Sequence, residues 1–373
     1  MTRLHTVEGA VVPLPASASE LTCDWFDAMF RTQRSSARVA AVEREPVAEG
    51  VGLMSCLTRV QLQYAEGDGP ESVVVKLPTV NEQNRQVART FDNYQREVRF
   101  YQCAAHRTPM RTPALYHADV DGDGNFVLVL EDLSAWVQGD QVRGATSKQA
   151  ERCMAALAEL HASFWNQVDE GDLDWMPDTY PSLMSDGLLQ GTTLVYDAFN
   201  SHFSEHVPAV LRGLKERYVH ALPRLQRWMN GAPRTVIHGD FRMDNLFFGR
   251  GPGAAMACCD WQGSLRGKGV HDVAYFLSGS LPVAHRRRAE RQLLRVWLES
   301  LQAGGVTGYT FEDAWEDYRR AVLMLWCYVV IIGGGLDPSN TRGSRWVEAM
   351  VRRSCSAIED LGCVDLLAEF EQD

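Results

Sequence analysis

Apolar positions change texture near Asp132. Upstream they come in short runs: Val47 to Ala65, broken by Gly50 and Gly52, then Ser72 to Leu77, Ala114 to Val120 and Asn125 to Leu130. Turn-forming residues separate the runs, most clearly Glu66 to Pro70 and Asp121 to Gly124, so this region predicts strands joined by hairpins. One helix interrupts them. Phe91, Tyr94, Val98 and Tyr101 recur at steps of three and four, and Glu97 lies on that helix. Downstream the spacing is helical over Lys148 to Trp165, Arg286 to Leu301, Phe311 to Ile332 and Trp346 to Leu361, and only Thr235 to Phe248 and Ala254 to Cys259 read as extended. The pattern predicts a bilobal α+β plan: a small β-rich lobe with one helix over residues 1–132, then a larger helical lobe over 133–373, with the boundary near Glu131 to Trp136. Such a plan leaves a cleft between lobes, where ligand sites concentrate.

Composition narrows the function classes. With 45% hydrophobic and 23% charged residues the chain of 373 is an ordinary globular protein, and its net charge of −11 excludes a strongly basic nucleic-acid binder. The nine cysteines are scattered from Cys23 to Cys363 without a C-x-x-C pair, which predicts reduced thiols and a cytoplasmic setting. Met1 to Ser19 holds no sustained apolar run, so no signal peptide is expected. The longest uncharged stretch, Ala321 to Leu336, falls short of the ~20 residues of a membrane span and runs into Gly333, Gly334 and Gly335. It reads as a buried core helix with a glycine stop.

The chemistry concentrates in Val236-Ile237-His238-Gly239-Asp240-Phe241-Arg242-Met243-Asp244-Asn245-Leu246-Phe247-Phe248, where two apolar edges hold a polar loop. Further on, the apolar run Met256 to Cys259 ends in Asp260, followed by Trp261 and Gln262. Adjacent strands would bring Asp240, Asn245 and Asp260 to one rim. That gives one carboxylate to orient a hydroxyl and accept its proton, with an amide and a carboxylate oxygen suited to hard Mg²⁺. An Asp, an Asn five residues later and an Asp on the next strand are the order that phosphoryl transfer requires. Upstream, Gly50, Gly52 and Ser55 sit between two β-like runs, where glycines let backbone N–H groups approach phosphates. Lys76 ends the run Val73-Val74-Val75, Glu97 on the following helix can pair with it, and Glu131 to Leu133 leave the last strand where an adenine edge could bond to backbone.

At these residues the chain resembles the aminoglycoside phosphotransferase and choline kinase superfamily, relatives of the eukaryotic protein kinases, through H-G-D-x-x-x-x-N followed by an Asp-aromatic-Gln step. His238-Gly239-Asp240, Asp260-Trp261-Gln262 and Asp272-Val273-Ala274-Tyr275-Phe276-Leu277 look most like its ecdysteroid-kinase-like branch. The resemblance covers roughly Val47 to Ser280 and implies a protein-kinase-like fold that uses ATP and Mg²⁺. It implies Asp240 as catalytic aspartate, Asn245 and Asp260 as magnesium ligands, Lys76 and Glu97 as ATP-positioning residues, and His238 and Asp272 as supports of the catalytic loop. The glycine loop lacks a third glycine, and no Ala-Pro-Glu segment follows Asp260-Trp261-Gln262, which points away from protein substrates. The expected acceptor is a hydroxylated small molecule: an amino alcohol, an aminoglycoside or other sugar, or a sterol-like alcohol.

Two alternatives accompany that reading. A nucleotide-binding pseudokinase would keep most of these residues, and His202-Phe203-Ser204-Glu205-His206 matches H-x-x-E-H, in which two histidines on one helix bind zinc beside a glutamate base. The acceptor side is suggested by residues 161–210, which hold Asp169, Glu170, Asp172, Asp174, Asp178, Asp186, Asp197 and Glu205 among aromatics, with no Lys or Arg. Acids with aromatics can hold an amine by charge and cation–π contact, or they can form a solvated face over an aromatic core.

Overall fold

The computed structural model describes residues 12–47, 54–169, 171–251, 255–335 and 341–371. Contacts divide the chain into two compact units, Met1–Ala105 with Thr112–Ala135, and His106–Arg111 with Trp136–Asp373.

In the first unit, helix α1 (Cys23–Thr32) starts where Thr22 Oγ1 accepts the Trp25 N–H at 3.3 Å. Its Trp25, Phe26, Met29 and Phe30 share one buried face. Each such burial is worth about 1.5–3 kcal/mol. Then come strands β1 (Arg38–Val47), β2 (Ser55–Glu66) and β3 (Ser72–Pro78), helices α2 (Glu82–Thr90) and α3 (Asn93–Arg99), and strands β4 (Leu115–Val120) and β5 (Phe126–Glu131). The strands form one antiparallel sheet in the order β1-β2-β3-β5-β4. Val73, Val75 and Leu77 of β3 join the apolar cluster that includes the α1 face. Because side chains alternate along a strand, Lys76 points to the other face of the sheet. There Tyr94 of α3 stacks on Phe126 of β5, with ring centroids 4.3 Å apart.

The helix expected over Phe91 to Tyr101 is α3, which runs on into a π turn over Phe100–Ala104, and a second helix that was not expected, α2, precedes it. α2 ends at Thr90, and Asp92 between the two takes a left-handed conformation (φ 52°). The spacing hid α2 because that helix is polar and buries only Ala88. Among the candidate nucleotide residues, Gly50 and Gly52 lie outside the described residues.

The second unit contains β6 (Val137–Gln138), α4 (Ser147–Phe164), α5 (Leu183–His202), α6 (Ala209–Arg212), α7 (Lys215–Met229), β7 (Thr235–Ile237), β8 (Leu246–Phe248), β9 (Met256–Cys258), β10 (Leu265–Gly267), α8 (Val270–Ser280), α9 (Val283–Ala303), α10 (Phe311–Met324), α11 (Trp326–Gly334), α12 (Thr341–Asp360) and α13 (Ala368–Glu371). The helices pack pairwise, α4 on α9, α5 on α11 and α8 on α10. The stretch expected to be extended from Thr235 to Phe248 is two three-residue strands around a loop. β7 pairs with β10 and β8 with β9, so residues 238–245 and 259–264 form two loops springing from short paired strands. The helix expected over Phe311 to Ile332 breaks at Leu325 into α10 and α11, and α11 closes at Gly334 with Gly335 as its cap. An N-terminal antiparallel sheet followed by a mostly helical part makes the fold α+β. Among the described residues no helix is long and apolar enough to cross a membrane, and all nine cysteines are free thiols.

Candidate active site

The loop that follows β7 is held from below. Asp272, in the first turn of α8 and fully buried, accepts the backbone N–H groups of His238 (2.6 Å) and Gly239 (3.0 Å). Two histidines complete its shell: His161 Nε2 lies 3.3 Å from Oδ2 and His271 Nδ1 3.3 Å from Oδ1. Trp297 Nε1, which can only donate, bonds His161 Nδ1 at 3.0 Å, so the hydrogen of His161 is on Nε2, toward Asp272. Burial alone would push the Asp272 carboxyl up, yet the bonds from His161 and His271 hold it well below the ordinary carboxylate value. A carboxylate depressed in this way stabilises the fold in full above the ordinary carboxylate range and loses that effect only as pH falls through the folded value. Gly239 takes φ 84°, and a Cβ there would lie 2.2 Å from the Gly263 carbonyl oxygen, so only glycine fits between the two loops.

His238 ties these loops together. Its Nδ1 accepts the Asp240 N–H (3.1 Å), which leaves Nε2–H to donate to the Cys259 carbonyl (3.0 Å), just before Asp260. Asp240 presents its carboxylate at the top of the loop with its side chain 31% exposed. Asn245 Nδ2 donates to the Asp240 carbonyl (2.9 Å) and to Oδ2 (3.0 Å), Arg242 Nε donates to Oδ2 (3.2 Å), and the Tyr275 hydroxyl donates to Oδ1 (2.9 Å). Arg242 also reaches Asp244 (2.9 Å) and lies over the Trp346 ring, 4.9 Å from its centroid. Burial opposes the charge on Arg242, but Asp240 and Asp244 more than offset it and keep the guanidinium protonated.

Asp240, Asn245 and Arg242 therefore form one bonded set. With its amide nitrogen spent on Asp240, Asn245 has its oxygen left for a ligand. Asp260 occupies a left-handed backbone conformation (φ 66°) at the end of the neighbouring strand, and Gln262 Nε2 donates to its Oδ2 at 3.3 Å. Asp tolerates that conformation better than most residues, and such strain concentrates at functional positions. An amide oxygen and a carboxylate are hard donors, and they fit Mg²⁺.

In the first unit, Lys76 Nζ lies 2.6 Å from Glu97 Oε2, with the two side chains only 6% and 1% exposed. Removing one member of such a buried pair costs about 3–5 kcal/mol, because it strands the other. Ser55 opens β2 opposite Pro78 and is buried. Glu131 ends β5, where its carboxylate accepts the Ala114 N–H at 3.1 Å, and Leu133 is buried just beyond it.

The zinc-site geometry is not met. α5 ends at His202, so Glu205 and His206 sit in the following turn rather than on the same helix, and His206 Nε2 faces Glu348 at 3.5 Å. Among the described residues no three His, Cys, Asp or Glu side chains are gathered for a metal. Four of the eight acids in the stretch are paired with cations from elsewhere in the chain. Asp172 meets Arg107 at 2.7 Å, Asp169 and Asp178 meet Arg234, and Asp197 meets Lys215. Phe164, Tyr196 and Phe199 of the same stretch are core residues, while Glu170 lies outside the described residues.

Arg242 and Tyr275 appear in the motifs, but sequence reasoning gave neither a role. Both also line a narrow cavity of about 20 Å³ together with Tyr328, Val329, Trp346 and Met350, and no carboxylate lines it. Such a volume holds about one water.

Three comparisons bear on this arrangement. Residues 49–304 match the family model described as the ecdysteroid kinase-like family. The mouse (Mus musculus) protein acyl-CoA dehydrogenase family member 10 is 26% identical over 167 residues, covering 38% of this chain but only 15% of that protein. Among solved structures, choline kinase from Cryptosporidium parvum Iowa II is 11% identical with a TM-score of 0.50, covering 88% of this chain and 90% of its own. Plasmodium vivax ethanolamine kinase is 12% identical with a TM-score of 0.50, covering 83% and 81%. APH(2")-IIia, solved with GDP and kanamycin, is 15% identical with a TM-score of 0.51, covering 93% and 98%. At these identities the solved structures establish the fold alone.

Proposed function

The chain belongs to the ecdysteroid kinase-like family, within the aminoglycoside phosphotransferase and choline kinase superfamily, and from that premise we propose that it moves the γ-phosphoryl group of ATP to a hydroxyl of a small molecule. The observation that carries this reading is the bonded set of Asp240, Asn245 and Arg242, seated on the loop that Asp272 holds. In the proposed reaction the acceptor oxygen bonds to the γ-phosphorus as the bridging bond to ADP breaks. The hydroxyl proton passes to Asp240, which has first oriented the hydroxyl. Asn245 and Asp260 would hold magnesium, which supplies charge neutralisation of the phosphates. Lys76, braced by Glu97, would contact the α- and β-phosphates, and the backbone of Glu131 to Leu133 would meet the adenine edge. The reading favours an acceptor without a cationic group. Four acids of residues 161–210, Asp169, Asp172, Asp178 and Asp197, are paired already, and a guanidinium, that of Arg242, stands directly beside the Asp240 carboxylate.

Asp260→Ala is expected to weaken MgATP binding by roughly tenfold or more, about 1.4 kcal/mol, with little change in the thermal stability of the ligand-free protein. Isothermal titration with MgATP measures it, and an unchanged affinity would remove Asp260 from the metal site. The reading as a whole is tested by phosphoryl transfer to a panel of neutral and amine-bearing alcohols.

A further inference from the structure

The acceptor positions on the Asp240 carboxylate are unequally used. Oδ2 receives both Asn245 Nδ2 (3.0 Å) and Arg242 Nε (3.2 Å), and an ionised carboxylate oxygen has room for about two donors. Oδ1 receives the Tyr275 hydroxyl alone, at 2.9 Å, so one of its acceptor positions stays open. The Tyr275 hydroxyl is itself held in place. Its ring lies parallel to His271 (6.3 Å between centroids, 6° between planes) and edge-on to Tyr328 (6.3 Å, 86°). His271 in turn bonds Asp272, the residue that holds the loop carrying Asp240. Tyr275 and the loop are thus referenced to one carboxylate. Tyr275 also forms part of the wall of the one-water cavity, together with Arg242.

We infer that Tyr275 is a positioning residue: its hydroxyl pins Oδ1 of Asp240 so that the remaining acceptor position of that oxygen receives the hydroxyl to be phosphorylated. The inference rests on the phosphotransferase reading above. Burial first, and then the neighbouring Asp240 charge, hold the Tyr275 phenol well above its ordinary value, so it stays a donor and does not compete as the base.

Tyr275→Phe removes the hydroxyl and keeps the ring stacking. Crystal structures of the wild type and this variant with Mg²⁺ and a non-hydrolysable ATP analogue should show the Asp240 carboxylate turning in the variant to a two-oxygen fork on Arg242, while the loop backbone stays in place. Turnover of an alcohol accepted by the wild type should fall about 10- to 100-fold, with the KM for MgATP within about twofold. Three results overturn the inference: an unturned carboxylate, a turned carboxylate with unchanged turnover, or a KM for MgATP that worsens as much as kcat. If the wild type phosphorylates no alcohol, the phosphotransferase reading fails and the carboxylate orientation alone decides the positioning claim.

Discussion

Asp240→Asn is expected to lower turnover by about 10²- to 10⁴-fold, the usual contribution of a positioned general base. The substitution is nearly isosteric, so the loop should survive it. The amide oxygen can still face Arg242 and Asn245, the amide nitrogen can donate to the Tyr275 oxygen, and Arg242 keeps Asp244 at 2.9 Å. Nothing that binds nucleotide in the proposed reading is removed. MgATP affinity should therefore stay within about twofold, with a melting temperature close to that of the wild type. Steady-state kinetics beside calorimetry separates the two quantities. Near-normal turnover would remove Asp240 from the chemistry, and a collapse of MgATP affinity would show that the residue acts on binding instead.

Asp272→Ala should have the largest effect on stability. It strands two backbone N–H groups, of His238 and Gly239, and two histidine N–H groups, of His161 and His271, around a site with no exposure to water. Stranding buried partners of a charge costs about 3–5 kcal/mol. For a unit of this size that corresponds to a drop in melting temperature of roughly 6–20 °C. Thermal unfolding followed by circular dichroism measures it. Asp272→Asn should lose less, because its oxygen still accepts. A melting temperature unchanged in the alanine variant would mean that the loop is held by other contacts.

The local parts of the site were legible in the sequence because their chemistry is local. Asp240 and Asn245 are five residues apart in one loop, and Asp260 ends the next apolar run, so spacing alone placed them on neighbouring elements. Lys76 and Glu97 were legible as the end of an apolar run and a member of the helix that follows it. What the spacing could not show were contacts between distant parts of the chain. His161 meets Asp272 across 111 residues and Arg234 meets Asp169 across 65. The first bond makes the loop support a network, and the second is among those that pair part of the acidic stretch, which the sequence left open between an amine site and a solvated face. Tyr275 was visible in its motif, but its bond to Asp240 depends on how α8 packs beneath the loop. The H-x-x-E-H match failed for a related reason, since letter spacing does not say that the helix stops at the first histidine. α1 is a different kind of miss: Thr22 followed by Trp25, Phe26, Met29 and Phe30 carries both a cap and a stripe, and its signal was readable.

The most direct measurement is transfer of label from γ-labelled ATP, with Mg²⁺ or with a chelator, to alcohols matched in skeleton and differing only in whether they carry an amine, followed by separation of nucleotide from acceptor. The account predicts Mg²⁺-dependent label on the neutral alcohols, in preference to the amine-bearing ones, and a rate of labelling about 10²- to 10⁴-fold lower with Asp240→Asn. MgATP that binds while no acceptor in the panel gains label would contradict it and mark a nucleotide-binding pseudokinase.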